Sequence, residues 1–337
     1  MHRYIVFGTI LLLVALATGA AAEQFTFQYQ KMLETSGQVK LSLVNRLGHV
    51  EISTHDSDLI VIDAVKKVKA GSKKEASEVA DRIEIRVDEG KNSFAISTNY
   101  LNLKDRSASF WKNLVGGSNE AFGAVEYSIK VPATCDLTID NGYGGITITG
   151  ISGSIETQSG EGGVTIDQVT GTVAIRSSAG DVRLGSIEGP VELAVTDGST
   201  YGELMFGPVT VRQPSGTIDL QWVQGDIRIK SASAAIKIRQ ENGSLDLSNA
   251  TGNIVVQTNL DSEQDYLVET QSGNIELSVP QSASGTLDIR SQAGNIRTDV
   301  PVTITAMSKQ QLKGAFGSGG VKISLVSTSG DVTVAQF

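Results

Sequence analysis

The chain has 337 residues, with 28 lysine and arginine side chains against 37 aspartate and glutamate side chains, and its formal net charge is −9. This acidic balance argues against a general nucleic-acid-binding protein, which would carry a basic excess. The single cysteine, Cys135, cannot form an internal disulfide, and its apolar neighbours favour a buried small side chain over a nucleophile.

Residues 1–22 predict a secretory signal peptide. Arg3 precedes an apolar run over residues 5–17, and small residues follow up to Ala22. A membrane anchor is the alternative, but the run is shorter than the roughly 20 apolar residues that a spanning helix needs. We therefore expect cleavage after Ala22 and a mature protein with no transmembrane segment.

Residues 23–140 predict a β-rich module with one short helix. Apolar and polar residues alternate at 39–43 and 50–52, which is typical of strands with one buried face. A helix is predicted near residues 73–81, with Ser72 as its N-terminal cap. We expect this module to cap one end of the repeats that follow, because a stack of repeats otherwise exposes an unpaired edge.

An insertion is predicted between residues 102 and 123. It contains Phe110 and Trp111, followed by a Gly-Gly-Ser-Asn stretch. One interpretation is a mobile aromatic patch that contacts a partner. The other, which we favour, is a short helix packed on the module, because tryptophan is highly buried on average.

The most informative pattern is a nine-residue glycine repeat. From Gly153 to Gly252, eleven of twelve positions spaced by nine carry glycine, and Ala234 is the exception. Of the residues two and four positions after each of these, 21 of 24 are Val, Ile or Leu. A fixed short period of this kind is the signature of a repeat architecture. Each unit therefore predicts a short strand followed by a corner.

A second period of eighteen overlies the first. Two residues before alternate glycines, large apolar side chains recur at Val169, Ile187, Met205 and Val223, whereas small or polar residues stand in the intervening units. We therefore predict that residues 141–337 form an all-β, single-stranded β-solenoid with two strand-turn units per coil, two parallel sheets and two unlike corners. The phase weakens at Glu241, and a bulge or protruding corner is predicted within residues 201–206.

Several turns carry a family resemblance. The segments Asn141-Gly142-Tyr143-Gly144-Gly145-Ile146, Ala179-Gly180-Asp181-Val182 and Thr328-Ser329-Gly330-Asp331-Val332 resemble those of the bacterial putative-adhesin β-strand-repeat family, a family of unknown function related to the autotransporter-adhesin head domain. The resemblance implies a β-solenoid at the cell envelope, with adhesion proposed from the fold. We therefore expect the bacterial periplasm, the cell surface or the extracellular space as its location.

Other chemistries fit the sequence less well. Calcium-binding nonapeptides need an aspartate ligand in each turn, and aspartate is only occasional here. The two mature histidines, His49 and His55, have neither metal-ligand nor triad spacing. Carboxylates do lie on the predicted sheet exteriors, where a glycosidase could use a pair, but solvated faces explain them equally well. These are Glu156, Glu192 and Asp246 on one face and Asp167, Glu203 and Asp219 on the other. No catalytic residue, cofactor or metal site is predicted.

One surface feature supports a binding hypothesis. With coils of eighteen residues, Arg212 and Lys230 stack directly, with Arg176 two coils below and Arg228 beside them. Like charges about 4.8 Å apart repel, so the strip is a candidate site for an anionic ligand. The alternative is compensation by nearby acids such as Glu192 and Asp246.

The sequence therefore predicts an exported, noncatalytic envelope protein that binds or scaffolds through its solenoid surface. The alternative is a carbohydrate-active β-helix enzyme that acts on an envelope or extracellular polysaccharide. An envelope glycan or another envelope protein is the expected partner, and nucleic acid is not.

Overall fold

The computed structural model describes residues 23–101, 122–260 and 264–337. The predicted signal peptide and most of the 102–123 insertion, with Phe110 and Trp111, lie outside these residues. The chain divides into two compact units, Met1–Gly160 and Glu161–Phe337. The boundary at residue 140 and the capping role of residues 23–140 stay predictions.

The described residues of the first unit form ten strands and one helix. In chain order these are β1 (Glu23–Glu34), β2 (Val39–Leu47), β3 (Val50–His55), β4 (Leu59–Ala70), α1 (Lys73–Asp81), β5 (Ile83–Glu89), β6 (Ser93–Tyr100), β7 (Phe122–Pro132), β8 (Cys135–Tyr143), β9 (Ile146–Thr149) and β10 (Ile155–Glu161). One sheet has the order β1-β4-β7-β3-β9, and the other has the order β10-β8-β2-β6-β5.

Helix α1 has the predicted bounds, and its cap is the predicted serine. The Ser72 hydroxyl accepts a hydrogen bond from the Glu75 amide at 3.2 Å. This bond satisfies one of the amides that a helix start leaves without an intrahelical partner. Ala76 and Ala80 supply the buried face of the helix.

The second unit consists of strands. In chain order these are β11 (Val164–Thr170), β12 (Val173–Ala179), β13 (Val182–Glu188), β14 (Val191–Asp197), β15 (Thr200–Phe206), β16 (Val209–Arg212), β17 (Thr217–Gln224), β18 (Ile227–Ser231), β19 (Ala235–Asn242), β20 (Leu245–Asn249), β21 (Ile254–Thr258), β22 (Tyr266–Thr270), β23 (Ile275–Val279), β24 (Gly285–Ser291), β25 (Ile296–Thr298), β26 (Thr303–Met307), β27 (Gln311–Phe316), β28 (Lys322–Ser327) and β29 (Val332–Gln336).

These strands form the two sheets that the repeat predicts. Both sheets are parallel except at the end of the second, where β27 pairs antiparallel with β24 and with β26. The odd-numbered strands other than β27 build the first sheet, in the order β11-β13-β15-β17-β19-β21-β23-β29-β25. The second sheet has the order β12-β14-β16-β18-β20-β22-β28-β24-β27-β26. Val164 pairs with Val182, and Val173 pairs with Val191, so neighbouring strands of these coils are eighteen residues apart. The predicted β-solenoid with two strands per coil is confirmed.

The aliphatic residues of the repeat form the core between the sheets. Val182 and Leu193 are buried, as are their counterparts along both stacks. Alternation with period two turns the intervening polar side chains outward. The outer faces of the two sheets are therefore the surfaces on which binding groups can stand.

Candidate binding surfaces

In four successive coils of the second unit, one corner is bulged. Gln168, Ser186, Leu204 and Trp222, each eighteen residues apart, have left-handed backbone conformations with φ of 57, 52, 56 and 58°. The strand register skips them: Asp167 pairs with Gly185, and Val169 pairs with Ile187. Each extra residue therefore points outward, and the next one turns into the core.

This bulge explains the second period of the sequence. Val169, Ile187, Met205 and Val223 follow the bulged residues and are all buried. The coil accordingly has two unlike corners, as predicted, and the protruding corner expected within residues 201–206 is centred on Leu204. At Glu241 a polar residue replaces the apolar residue that the eighteen-residue period predicts. The pairing of strands β17 and β19 shifts register at this point.

The bulged corner carries an exposed apolar ridge, which we define as Leu204, Phe206 and Trp222. Their exposed fractions are 42%, 41% and 38%. Tyr201, on the outer face of the same strand as Leu204, is 39% exposed. A left-handed conformation is costly for bulky residues such as leucine and tryptophan. The ridge thus combines exposed apolar area with backbone strain, and both features are common at interaction sites.

Two arginines hold aromatic rings beside this ridge. The Arg239 guanidinium carbon lies 3.5 Å from the centre of the Trp222 ring. The Arg183 guanidinium carbon lies 5.2 Å from the centre of the Tyr201 ring. Such cation–π contacts fix the orientation of the rings before any partner arrives. The side chains of Gln221 and Asp219 add polar groups next to the rings, joined by a hydrogen bond from Nε2 to Oδ1.

The candidate basic strip lies on the second sheet. Arg176 pairs with Ala194, Ala194 with Arg212, and Arg212 with Lys230, so the predicted stacking is present. Arg228 pairs with Thr210, beside Arg212. The structure thus brings the four predicted cations onto one outer face, and a binding role for them stays a prediction.

Acidic side chains partly neutralise the basic strip. The Arg212 guanidinium lies 3.0 Å from the Glu192 carboxylate, and that of Arg228 lies 3.0 Å from the Asp246 carboxylate. These are the two acids that the alternative interpretation expects. Exposed ion pairs of this kind contribute little stability, so a stronger anionic ligand could displace the carboxylates.

The described carboxyl groups with a shifted pKa both serve structural contacts. Burial would raise the pKa of Asp288, but hydrogen bonds from Arg290, Gln311 and Lys313 outweigh it and lower that pKa. Hydrogen bonds from the backbone and side-chain amides of Asn295 lower the pKa of Asp331. A glycosidase acid needs the opposite shift.

The thiol and the histidines fit structural positions. Cys135 is buried as expected, and burial together with the Asp136 carboxylate raises the pKa of its thiol to about 12. The thiol is therefore protonated at neutral pH and a weak nucleophile. His49 is exposed and His55 is partly exposed, and Nε2 of His55 lies 2.7 Å from the carbonyl oxygen of Leu59. Within the described residues, no cluster of His, Cys, Asp and Glu could hold a metal ion.

An open groove of about 890 Å³ lies among loops of the second unit. Its lining includes Asp265, Pro280, Ser282 and Lys322. One carboxylate and one ammonium group do not make a catalytic constellation by themselves.

In the part of the chain that the structure describes, no helix is long and apolar enough to cross a membrane.

The sequence signal for the apolar ridge was the eighteen-residue period. Residues 168, 186, 204 and 222 each lie three positions before alternate glycines of the repeat. Sequence reasoning identified the protruding corner but did not include Trp222. A left-handed conformation at a bulky residue runs against local preference, so local preference could not reveal it.

Comparisons with known proteins identify one matching family. The model of the Toastrack DUF4097 family matches residues 50–335. No curated protein matches the chain.

Several solved structures are similar over most of their length. A protein from Parabacteroides distasonis, described as a putative lipid binding protein, is 10% identical, with 91% of this chain and 96% of that chain covered and a TM-score of 0.40. A putative adhesin from Bacteroides fragilis is 10% identical, with 92% and 97% covered and a TM-score of 0.30. A putative cell adhesion protein from Clostridium sporogenes is 9% identical, with 93% and 100% covered and a TM-score of 0.26.

Proposed function

The chain belongs to the Toastrack DUF4097 family, and from this premise we propose that it is an exported, noncatalytic cell-envelope protein that binds a partner through the outer surface of its β-solenoid. The observation that carries the proposal is the apolar ridge. The three ridge side chains, Leu204, Phe206 and Trp222, are large, exposed and apolar, and the exposed Tyr201 stands beside them on the same two neighbouring strands. Folding alone gives no reason for this concentration.

Backbone energetics supports a binding role for the ridge. Gln168 and Ser186 occupy the same bulged position in lower coils, which indicates that the corner does not require an apolar side chain. Leu204 and Trp222 are less suited to the left-handed conformation than glycine or asparagine. Bulky residues at strained, exposed positions are more readily explained by a contact with a partner than by stability.

The basic strip is the second proposed contact. Arg212 and Lys230 stand on adjacent strands, so an anionic polymer that crosses the strands could contact both. Counter-ions screen such contacts, and their contribution should fall as the salt concentration rises. An envelope glycan or another envelope protein that presents anionic groups fits this surface.

Two further points support the noncatalytic part of the proposal. Glu192 and Asp246 are engaged in exposed ion pairs, and Asp219 accepts a hydrogen bond from Gln221. Asp288 and Asp331 have lowered rather than raised pKa values. The carbohydrate-active enzyme remains the alternative, because carboxylates are present on both outer faces.

Cosedimentation with envelope fractions tests the proposal. The purified protein is mixed with fractions from its own source across a salt series, and the supernatant is assayed for released sugars. We expect saturable binding without sugar release. Absence of binding would contradict the proposed function, and sugar release that scales with protein concentration would establish the enzyme.

Two double variants separate the contributions of the surfaces. L204N/W222N removes the two bulged apolar side chains and introduces asparagine, which tolerates the left-handed conformation. We therefore expect an unchanged fold and a loss of salt-resistant binding. R212E/K230E should remove the salt-sensitive part of the binding to envelope fractions. The matched control is K73E/K74E, which makes the same change in net charge at exposed positions of helix α1. Equal losses for R212E/K230E and this control would refute a role for the basic strip.

A further inference from the structure

The outer face of the first sheet, beside the apolar ridge, alternates aromatic rings with hydrogen-bonding groups. We call this surface the Tyr201–Trp222 face and define it by Tyr201, Glu203, Asp219, Gln221 and Trp222. Tyr201 pairs with Asp219, and Glu203 pairs with Gln221, on the neighbouring strands β15 and β17. The bulge at Trp222 brings the indole to the end of this row and makes it part of the ridge as well. Two rings and the polar groups between them thus share one surface.

The two rings have fixed orientations and a defined separation. The Arg183 and Arg239 guanidinium groups lie over the Tyr201 and Trp222 rings, so each ring has one face covered. The rest of each ring is available to a ligand, because the two side chains are 39% and 38% exposed. Trp222 lies three residues further along and one strand across from Tyr201, which places their Cα atoms about 10 Å apart. A ligand that stacks on both rings must therefore carry two flat apolar units at this spacing.

The polar groups between the rings have hydrogen-bonding capacity left for a ligand. The Gln221 side-chain amide donates to one oxygen of Asp219, which fixes both groups and leaves the Gln221 carbonyl oxygen and the second Asp219 oxygen as acceptors. The Glu203 side chain is exposed, and among the described residues it forms neither an ion pair nor a hydrogen bond. Carboxylate and amide oxygens accept hydrogen bonds from hydroxyl groups. The space between the rings therefore suits a ligand unit that is rich in hydroxyls.

The charges around the face disfavour an anionic membrane as its partner. Glu203 and Asp219 are balanced by Lys237 and Arg239 on the next strand, β19. Glu188 and Glu203 also lie beside the ridge, since the first pairs with a ridge residue on β15 and the second directly precedes another. Carboxylates at these positions would repel anionic lipid headgroups. A neutral ligand fits this balance of charges best.

A neutral sugar chain has the surface that these observations require. A hexose ring presents C–H groups on its flat faces, which stack on aromatic rings, and hydroxyls around its rim, which bind carboxylates and amides. In an extended cellulose-like or chitin-like chain, every second ring has the same orientation and lies at the separation of Tyr201 and Trp222. A curved chain, such as that of amylose, does not keep this repeat. A protein partner would need a larger surface than this face provides, because specific interfaces bury roughly 1,200–2,000 Å² in total.

We propose that the Tyr201–Trp222 face binds a neutral, extended cellulose-like or chitin-like sugar chain without cleaving it. Tyr201 and Trp222 stack on two alternate rings, and Asp219, Gln221 and Glu203 bind the hydroxyl groups of the ring between them. This inference rests on the proposed function, because it identifies the ligand behind the ridge-dependent part of envelope binding. The ligand carries no charge, so added salt should not weaken the contact.

Isothermal titration calorimetry on the purified protein tests the proposal, with cellohexaose and chitohexaose as probes. We expect at least one of them to bind with a dissociation constant of about 1 mM or below, equally at low and high salt, and to be recovered intact. Maltohexaose, the curved isomer of cellohexaose, should bind on the order of tenfold more weakly. Failure of both probes to bind, cleavage of a probe, or maltohexaose binding as tightly as the better probe would overturn the proposal.

Single substitutions assign the contact to the face. W222N and Y201A should each weaken binding of the better probe on the order of tenfold, because each removes one stacked ring. Asparagine tolerates the left-handed conformation at position 222, and Y201A leaves the bulge unchanged, so a loss in both variants is not a folding defect. V255A is the matched control and should bind like wild type, since Val255 is exposed on the same face of the sheet. Equal losses in V255A, or wild-type binding by both W222N and Y201A, would contradict the assignment.

Tryptophan fluorescence reports the contact directly. The chain has two tryptophans, Trp111 and Trp222, so W111F leaves Trp222 as the single tryptophan. A bound probe should shield the Trp222 indole from acrylamide, so quenching should fall as the probe saturates the protein. Unchanged quenching at a saturating probe concentration would overturn the stacking contact.

Envelope binding separates this inference from the proposed function. If the protein binds envelope fractions but neither probe, the proposed function stands and the sugar ligand is wrong. If it binds a probe but no envelope fraction, the sugar site stands and the proposed function is wrong. Binding to the fractions at high salt should survive protease treatment of the fractions. Its loss after that treatment would assign the ridge to a protein partner and overturn the inference.

Discussion

Aspartates that directly follow a turn glycine have a structural role in this chain. Asp181 accepts a hydrogen bond from the Ser199 amide at 3.1 Å, and Asp226 accepts one from the Ser244 amide at 2.8 Å. In both cases the donor lies eighteen residues further on, in the next coil. The occasional Gly-Asp turns therefore join neighbouring coils directly, and they need no calcium to do so.

This role predicts the effect of removing one carboxylate. Asp226→Ala leaves the Ser244 amide and hydroxyl, both 2.8 Å from the Asp226 carboxylate, without this acceptor. We expect the free energy of unfolding to fall by about 1–2 kcal/mol. Urea denaturation measures it, with Asp219→Ala as the control, because Asp219 accepts from the Gln221 side chain rather than from another coil. Equal effects of the two substitutions would contradict the interpretation.

The backbone conformations of the repeat glycines explain why Ala234 can replace glycine at one position of the nine-residue series. Gly180 has φ of 114°, and a Cβ there would lie 2.6 Å from the backbone carbonyl of Gly162. The glycines of the nonamer series from Gly153 to Gly252 all have positive φ, whereas Ala234 does not. Alanine is thus tolerated at the one register where the backbone does not require glycine.

At the scale of elements, the strand-turn units followed from the sequence because each is a local pattern. Alternating aliphatics and a glycine specify a strand and its corner whatever the neighbours are. The bulged corner at Leu204 was predicted only as a break in this pattern. The apolar ridge needed the structure, because the direction of Trp222 depends on a left-handed residue that local preference disfavours.

The order of the last coils could not be derived from the spacing. Strand β28 lies between β22 and β24, and β29 lies between β23 and β25, so the final coil in sequence is inserted before its predecessor in space. Ile275 of β23 pairs with Val332 of β29, 57 residues away, instead of with β25, the next strand of the same sheet in chain order. A nine-residue period states what each unit is, but once insertions break the period it no longer states which unit is its neighbour.

This insertion makes β28 a central strand, and it predicts a large effect of truncating its core. Leu325 is fully buried and pairs with Val268 on one side and Ile289 on the other. Leu325→Ala should lower the free energy of unfolding by about 2–5 kcal/mol. Val255→Ala, at a position that is 37% exposed, is the control and should have a small effect. A small effect at both positions, by chemical denaturation, would show that β28 is not part of the cooperative core.

At the scale of the whole molecule, a solenoid couples each coil mainly to its two neighbours. A lesion in one coil of the second unit should therefore weaken the nearest coils most, and its effect should fade along the stack. Gly180→Ala is suited to this test, because its Cβ would collide with the backbone of the coil that contains Gly162. We expect hydrogen exchange to accelerate most in β11 to β14 and least in β22, β23, β28 and β29.

The alternative is a unit that opens only as one body, in which case Gly180→Ala would accelerate exchange equally from β11 to β29. Gly71→Ala is the control, because Gly71 lacks a positive φ and its Cβ would meet only the Glu75 side chain, at 3.4 Å. A graded response would have a consequence for binding. The coils that carry Leu204 and Trp222 would be weakened more than those of β28 and β29, so a variant lesioned at Gly180 should lose ridge-dependent envelope binding at a temperature where β28 and β29 are still protected from hydrogen exchange.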